Sequence, residues 1–161
     1  MTRNKIAIKV VDNVFKEVVE NTPDIANGYN YGLHAVESAD KDAIRVKENR
    51  RLSGSVNIDK EVKDKYPNDP RWDYALCYDN KVCFVEVHPA CTKNIDEMIK
   101  KKRWLVDWLR NNAPLLNSFP SCSPKFCWAA TESGVHISAQ ASYKRKLAQL
   151  GLIPQRPIVL G

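Results

Sequence analysis

The chain has no Cys-x-x-Cys pair, no internal repeat and no low-complexity tract, and nowhere does it approach the ~18 uninterrupted apolar residues that a membrane span requires. Its opening segment, MTRNKIAIKVVDN, lacks the apolar block and small-residue cleavage site of a secretory signal. These absences argue against a membrane partner and predict a cytoplasmic protein. Five cysteines (Cys77, Cys83, Cys91, Cys122 and Cys127) form an odd set without a common zinc spacing or a disulfide framework. That predicts reduced, mostly buried thiols.

With 161 residues, 43% of them hydrophobic and 27% charged, the composition is that of one globular domain spanning 1–161 with its own core. Lys and Arg outnumber Asp and Glu by 25 to 19, for a net charge of +6. The excess gathers at Arg45-Val-Lys47, Arg50-Arg51, Lys100 to Arg103 and Lys144 to Lys146. A basic balance of this kind is compatible with nucleic acid without demonstrating it.

Periodicity predicts a helix over 11–20, with Val14, Val18 and Val19 on one face and Asp12 as N-cap. Residues 27–31 read as loop, part of 33–51 as helix, 59–66 as a short helix stopped by Pro67, and 67–70 as turns. Strands are expected at 72–78 and 81–88, joined by Asp79-Asn80, two residues that tolerate the left-handed conformation of a tight hairpin. A long helix over 94–111 follows, then strands at 126–131 and 135–138 around a Ser133-Gly134 turn. A helix over 139–150 closed by Gly151 and an edge strand at 158–160 complete the chain. This order predicts an α/β fold: a three-layer sandwich with a central mixed β-sheet flanked by helices.

The hairpin carries the candidate chemistry. With a two-residue turn, Tyr78 faces Lys81, Asp73 faces Glu86 and Arg71 faces His88, so Asp73, Glu86 and His88 project from one face. Two carboxylates directly opposed repel and need a cation between them. A hard divalent ion such as Mg²⁺ or Mn²⁺ fits oxygen ligands of this kind; Arg71 or a Lys neutralising the pair as a structural cluster is the alternative. His88 could move a proton beside them or merely bond to a neighbour. On the next helix Lys102 falls inside the apolar stripe of Ile95, Met98, Ile99, Leu105, Val106 and Leu109, from which it could reach the carboxylates or snorkel at the stripe's edge. Lys100, Lys101 and Arg103 read as a solvated face or phosphate contacts. Trp104 and Trp108 are a packing pair before they are a base-stacking platform. A zinc set of His88, Cys91 and Cys83 is weakened because Cys83 points away from His88.

Helix, strand with Asp73 in Asn68-Asp69-Pro70-Arg71-Trp72-Asp73, strand with Glu86-Val87-His88, and helix again: this layout resembles the PD-(D/E)XK nuclease superfamily, the restriction-endonuclease-like fold. The resemblance covers about Val11 to Thr131 in layout and two or three positions in identity. Trp72 replaces the motif proline, and His88 stands where the motif lysine would be. The resemblance implies metal-dependent phosphodiester hydrolysis in nucleic acid, DNA before RNA, with Asp73 and Glu86 holding Mg²⁺ or Mn²⁺ and His88 or Lys102 supplying the lysine's role. It also implies a Glu from the N-terminal region, with Glu17, Glu20, Glu37 and Glu48 all eligible. The substitution at His88 leaves a second reading, a nucleic-acid-binding or protein-interaction module of the same fold whose catalysis has lapsed.

Overall fold

A computed structural model describes residues 14–161. The chain runs α1 (Val14–Glu20), β1 (Ile44–Val46), β2 (Leu52–Asn57), α2 (Ile58–Val62), β3 (Tyr74–Tyr78), β4 (Lys81–Cys91), α3 (Ile95–Asn112), α4 (Pro114–Ser118), β5 (Ser121–His136), α5 (Ala141–Leu150) and β6 (Ile158–Leu160). The part of the first expected helix before Val14, with its Asp12 cap, lies outside the described residues.

The hairpin forms in the expected register. Asp79 and Asn80 hold φ of 53° and 58°, the left-handed pair that lets a two-residue turn follow the twist of its strands. Tyr78 accordingly faces Lys81, and Tyr74 faces Val85. β2 pairs antiparallel with β3 on one side, and β5 pairs parallel with β4 on the other, giving a mixed sheet of order β2-β3-β4-β5. The parallel pair needs a long crossover, which α3 and α4 supply.

Alternation along β3 and β4 divides the interior in two. Ala75, Cys77, Val82 and Phe84 pack against Phe15, Val62, Met98, Leu105, Leu116 and Leu147, one from each helix and two from α3. Leu76, Tyr78, Cys83 and Val85 face Ile44, Leu52, Ile158 and Leu160. The α-helices therefore line one face of the mixed sheet, while the opposite face is covered by a parallel two-stranded ribbon of β1 and β6 with the 3₁₀ turn Ser38–Ala43. Each large aliphatic side chain buried in these layers contributes ~1.5–3 kcal/mol of transfer free energy.

Several local expectations change. Residues 33–51 hold two 3₁₀ turns and β1 where a helix was expected, and β2 was not foreseen. β2 is rich in small polar residues, and its place is set from outside: the Tyr29 ring lies where a Cβ on Gly54 would sit, and Asn30 bridges Ser55. The two strands expected around Ser133-Gly134 are one strand, β5, whose register against β4 shifts between His88 and Ala90, with Gly134 at φ 80° in the bulged stretch. β6 pairs with β1, not with the main sheet. Gly151 does cap α5 in the left-handed conformation. No helix among the described residues is long and apolar enough to cross a membrane.

The cysteine expectation is corrected. Cys83 and Cys122 form a disulfide with Cα atoms 5.2 Å apart, and Cys77, Cys91 and Cys127 are free. Parallel pairing of β4 with the start of β5 brings the two together across 39 residues, a proximity that spacing alone does not reveal. Closing a loop of that length stabilises by about 4 kcal/mol in the chain-entropy account. Peptide mapping of the oxidised protein should recover Cys83 joined to Cys122 with the other three cysteines alkylated, and reduction should lower the urea midpoint. Alkylation of all five before reduction would contradict the pairing.

Candidate active site

The site lies where β3 separates from β4. Asp73 sits immediately before β3, and its main chain is held from both sides: its carbonyl accepts from Ile58 N at 2.7 Å, and its N–H donates to Glu86 Oε1 at 2.9 Å. The Asp73 carboxylate in turn accepts the Val87 N–H through Oδ2 at 3.1 Å. The ladder of main-chain bonds is thus continued by two carboxylates that reach across to each other's strands. Opposition of Asp73 and Glu86, expected from the register, is realised as this exchange.

Glu86 is 1% exposed, so its charge has to be met inside the protein. Lys101 of α3 meets it, with Nζ 2.6 Å from Oε2 and 3.2 Å from the Arg71 carbonyl. Arg71 is fixed in turn by Asp59 at 2.8 Å and by the carbonyls of Tyr66 and Pro67. Lys102, expected to reach the carboxylates, does not do so. Its Nζ bonds the Leu150 carbonyl at the end of α5 and lies 5.1 Å from the Phe126 ring centre, so it ties α5 to α3 as a C-terminal cationic cap. One helical step, about 100°, separates the two lysines, and it is Lys101 that faces the hairpin.

His88 shares the buried surroundings at 9% exposure, but its ring is committed elsewhere: Nδ1 to the Pro89 carbonyl at 2.9 Å and Nε2 to Glu97 at 3.1 Å. Arg71, expected opposite His88, turns to Asp59 instead. Of the four eligible N-terminal glutamates, Glu20 pairs with Lys16 and Glu48 with Arg50 and Arg51, while Glu17 is exposed on α1. Glu37 is tied to the sheet end beside Asp73, its N–H bonded to Tyr74 Oη at 3.1 Å and its carboxylate 3.5 Å from Asn57 Nδ2. Trp104 and Trp108 stack at 5.8 Å, but their indole N–H groups are used by Asp69 and Asp24. Cys83, being in the disulfide, is removed from any zinc set.

Burial raises the Asp73 carboxyl to about 6, with Asp40 and Asp59 adding to the effect and Lys101 and the Val87 N–H opposing it. Burial also raises Glu86 well above the ordinary carboxylate range, helped by the charge of Asp73 and opposed by Lys101. For Lys101, burial favours the neutral amine, but Glu86 and Asp73 outweigh it and raise the ammonium pKa. One ammonium faces two buried carboxyl groups, and the set disfavours ionising both acids at once.

Among the described residues no three His, Cys, Asp or Glu side chains converge as a complete ligand set. The donors suited to a hard cation are the Asp73 and Glu86 carboxylates, and the shortage of positive charge around them fits a divalent ion. A polar cleft of about 480 Å³ opens beside this end of the sheet, with Asn30, His34, Lys41, Asn57 and Lys60 in its walls. Asp73, Glu86 and Lys101 do not line this cleft, whose tie to them is Asn57, the residue before the Ile58 N–H that bonds the Asp73 carbonyl. The chain matches no protein-family description, no curated protein and no solved structure.

The raised Asp73 pKa fixes the sign of a pH effect. A carboxyl whose pKa rises from 3.8 to about 6 on folding contributes stability below pH 4 that is lost as pH rises through 6. Asp73→Asn removes that loss while keeping an acceptor for Val87. In chelator at pH 7 the variant should be more stable than the parent by roughly 1–3 kcal/mol, and the difference should vanish near pH 4. Urea titrations at the two pH values check this, and a variant less stable at pH 7 would contradict it.

Proposed function

We propose that the protein is a metal-dependent nuclease hydrolysing phosphodiester bonds, DNA before RNA, with a restriction-endonuclease-like fold. The observation that carries the reading is the Lys101 ammonium bonded to Glu86 beside Asp73. The motif's two acids and a lysine are together at one point, with the lysine supplied by the following helix where the strand has His88. The layout of α1, Asp73 at the start of β3, Glu86 on β4 and then α3 supports the fold assignment.

Asp73 and Glu86 would hold Mg²⁺ or Mn²⁺. An ion held by these two carboxylates would supply Lewis-acid polarisation of a phosphate oxygen and a bound water of lowered pKa. Lys101 places a positive charge at the same point, suited to the charge that develops on the phosphoryl oxygens. His88 bonds the Pro89 carbonyl through Nδ1 and Glu97 through Nε2, which ties the end of β4 to α3. The Asn30–Lys60 cleft offers donors for a strand entering from the β2 side, with the net positive charge assisting approach without sequence preference.

A specific observation favours a second reading. With both oxygens bonded and 1% exposure, Glu86 serves equally as half of a structural ion pair in a binding module. Labelled plasmid, single-stranded DNA and RNA incubated with Mg²⁺ or Mn²⁺ separate the two. Glu86→Gln and Lys101→Met should each lose on the order of 10²-fold or more in cleavage rate, and chelation should abolish it. Lys102→Met should keep the parent rate and lose about 1 kcal/mol of stability. Equal cleavage by the parent and Glu86→Gln would remove the site; salt-sensitive binding without cleavage would favour the binding module.

A further inference from the structure

We propose that Lys101 is an exchangeable counter-ion: it holds Glu86 Oε2 in the metal-free protein and gives that oxygen up when a divalent cation binds, staying at the site on the Arg71 carbonyl. The inference rests on the metal reading above and adds to it how the site is kept intact when empty and how it is engaged.

The geometry has three parts. First, both oxygens of the Glu86 carboxylate are engaged, Oε1 by the Asp73 N–H and Oε2 by the Lys101 ammonium at 2.6 Å. A cation approaching Oε2 meets the like charge of the ammonium, whereas the N–H on Oε1 is a neutral donor belonging to a main chain pinned by the bond from Ile58 to the Asp73 carbonyl. Lys101 is the partner that can move. Second, Lys101 already has another acceptor. Its Nζ is 3.2 Å from the Arg71 carbonyl, which is immobilised because the Arg71 guanidinium spans Asp59, Tyr66 and Pro67. Leaving Glu86 therefore does not strand the ammonium in a buried place without a partner, nor send it into solvent. Third, the charge balance changes in the right sense. Two carboxyl groups face one ammonium, so a divalent cation would supply the positive charge that lets both be ionised together, which Lys101 alone does not.

Lysine and metal then compete for one oxygen, and linkage requires that removing the lysine strengthens binding of the metal. A lysine with a fixed structural role gives the opposite result, because losing it would disturb Glu86 and weaken the site.

The test uses the full chain and the metals themselves. Titration calorimetry with MgCl₂ and MnCl₂ is run on the parent, Lys101→Met, Lys101→Arg and Asp73→Asn, with circular dichroism confirming the fold of each. Lys101→Met should bind at least about tenfold more tightly than the parent, Lys101→Arg should not gain affinity, and Asp73→Asn should bind more weakly. In the unmodified protein, NMR of ¹⁵N-labelled lysine ammonium groups should show the Lys101 signal shifting on saturation with Mg²⁺ while that of Lys102 stays in place. This second measurement decides the matter if Lys101→Met does not fold. Equal or weaker binding by a folded Lys101→Met, or an unmoved Lys101 signal in the Mg²⁺-saturated parent, overturns the exchange and leaves the metal site standing. Failure of every protein to bind either metal overturns the metal reading and this inference together.

Discussion

Everything at the candidate site follows from placing a carboxylate at position 86 of a strand that is buried on both faces. Five consecutive residues of β4, Val82 to Glu86, are buried, and Glu86 retains only 1% exposure. A charge there must be met by groups brought from elsewhere in the chain. Two long-range contacts do so: the Asp73 N–H across the hairpin and the Lys101 ammonium across the crossover helix. Each depends on an element being correctly docked, so the ion pair reports on the packing of α3 against the sheet as much as it contributes to it. The Lys101 contact also explains why α3 is amphipathic in an unusual way. Its buried face, with Ile95, Met98, Leu105 and Leu109, is bordered by two lysines that are both drawn inward, one to the sheet and one to the end of α5.

The segment that carries Asp73 is built to the same end. Trp72 is fully buried next to it, Arg71 is bonded to three separate groups, and Asp69 takes the Trp104 indole. Farther back, Asp24 gathers Lys65, Tyr66 and Trp108 around one carboxylate, tying the loop after α2 to α3. Burial works against the charged form of Asp24, but the three donors prevail and its pKa is lowered, the opposite of what happens at Asp73. The contrast separates two kinds of buried carboxylate. Asp24 has donors enough for its charge, as a structural anchor should, whereas Asp73 and Glu86 share one cation.

The hairpin was legible because its information is local. Two residues that accept positive φ fix the loop length, loop length fixes register, and register places Asp73 against Glu86. The identity of the lysine was not local. Whether residue 101 or 102 faces the sheet depends on the rotation of α3 about its axis: the apolar stripe includes Lys102 and not Lys101, yet the docked helix turns Lys101 to Glu86 and Lys102 to the end of α5. The spacing of Glu97, Lys101, Leu105 and Trp108 on one side of the helix was the available signal. β2 was illegible for a related reason: a Ser-Gly-Ser run has little strand propensity of its own and is made a strand by Tyr29, Asn30 and β3. The disulfide likewise depends on the parallel register of β5, which no spacing between cysteines encodes.

Stability alone is a poor account of the Glu86 and Lys101 pair. Buried ion pairs cost desolvation that their attraction barely repays, and apolar residues of similar volume often serve a core as well or better. The choice of lysine is informative as well. An arginine at 101 would offer a planar fork that grips a carboxylate by both oxygens and holds a fixed geometry; lysine is a compact charge on a flexible stem, able to pass between acceptors a few ångströms apart. Glu86 Oε2 and the Arg71 carbonyl are two such acceptors for the same Nζ. A group held by one strong and one weak contact, next to a second carboxylate whose charge it does not fully balance, is placed to be displaced. The energetic deficit that makes this corner of the core costly is the one that the proposed cation would relieve.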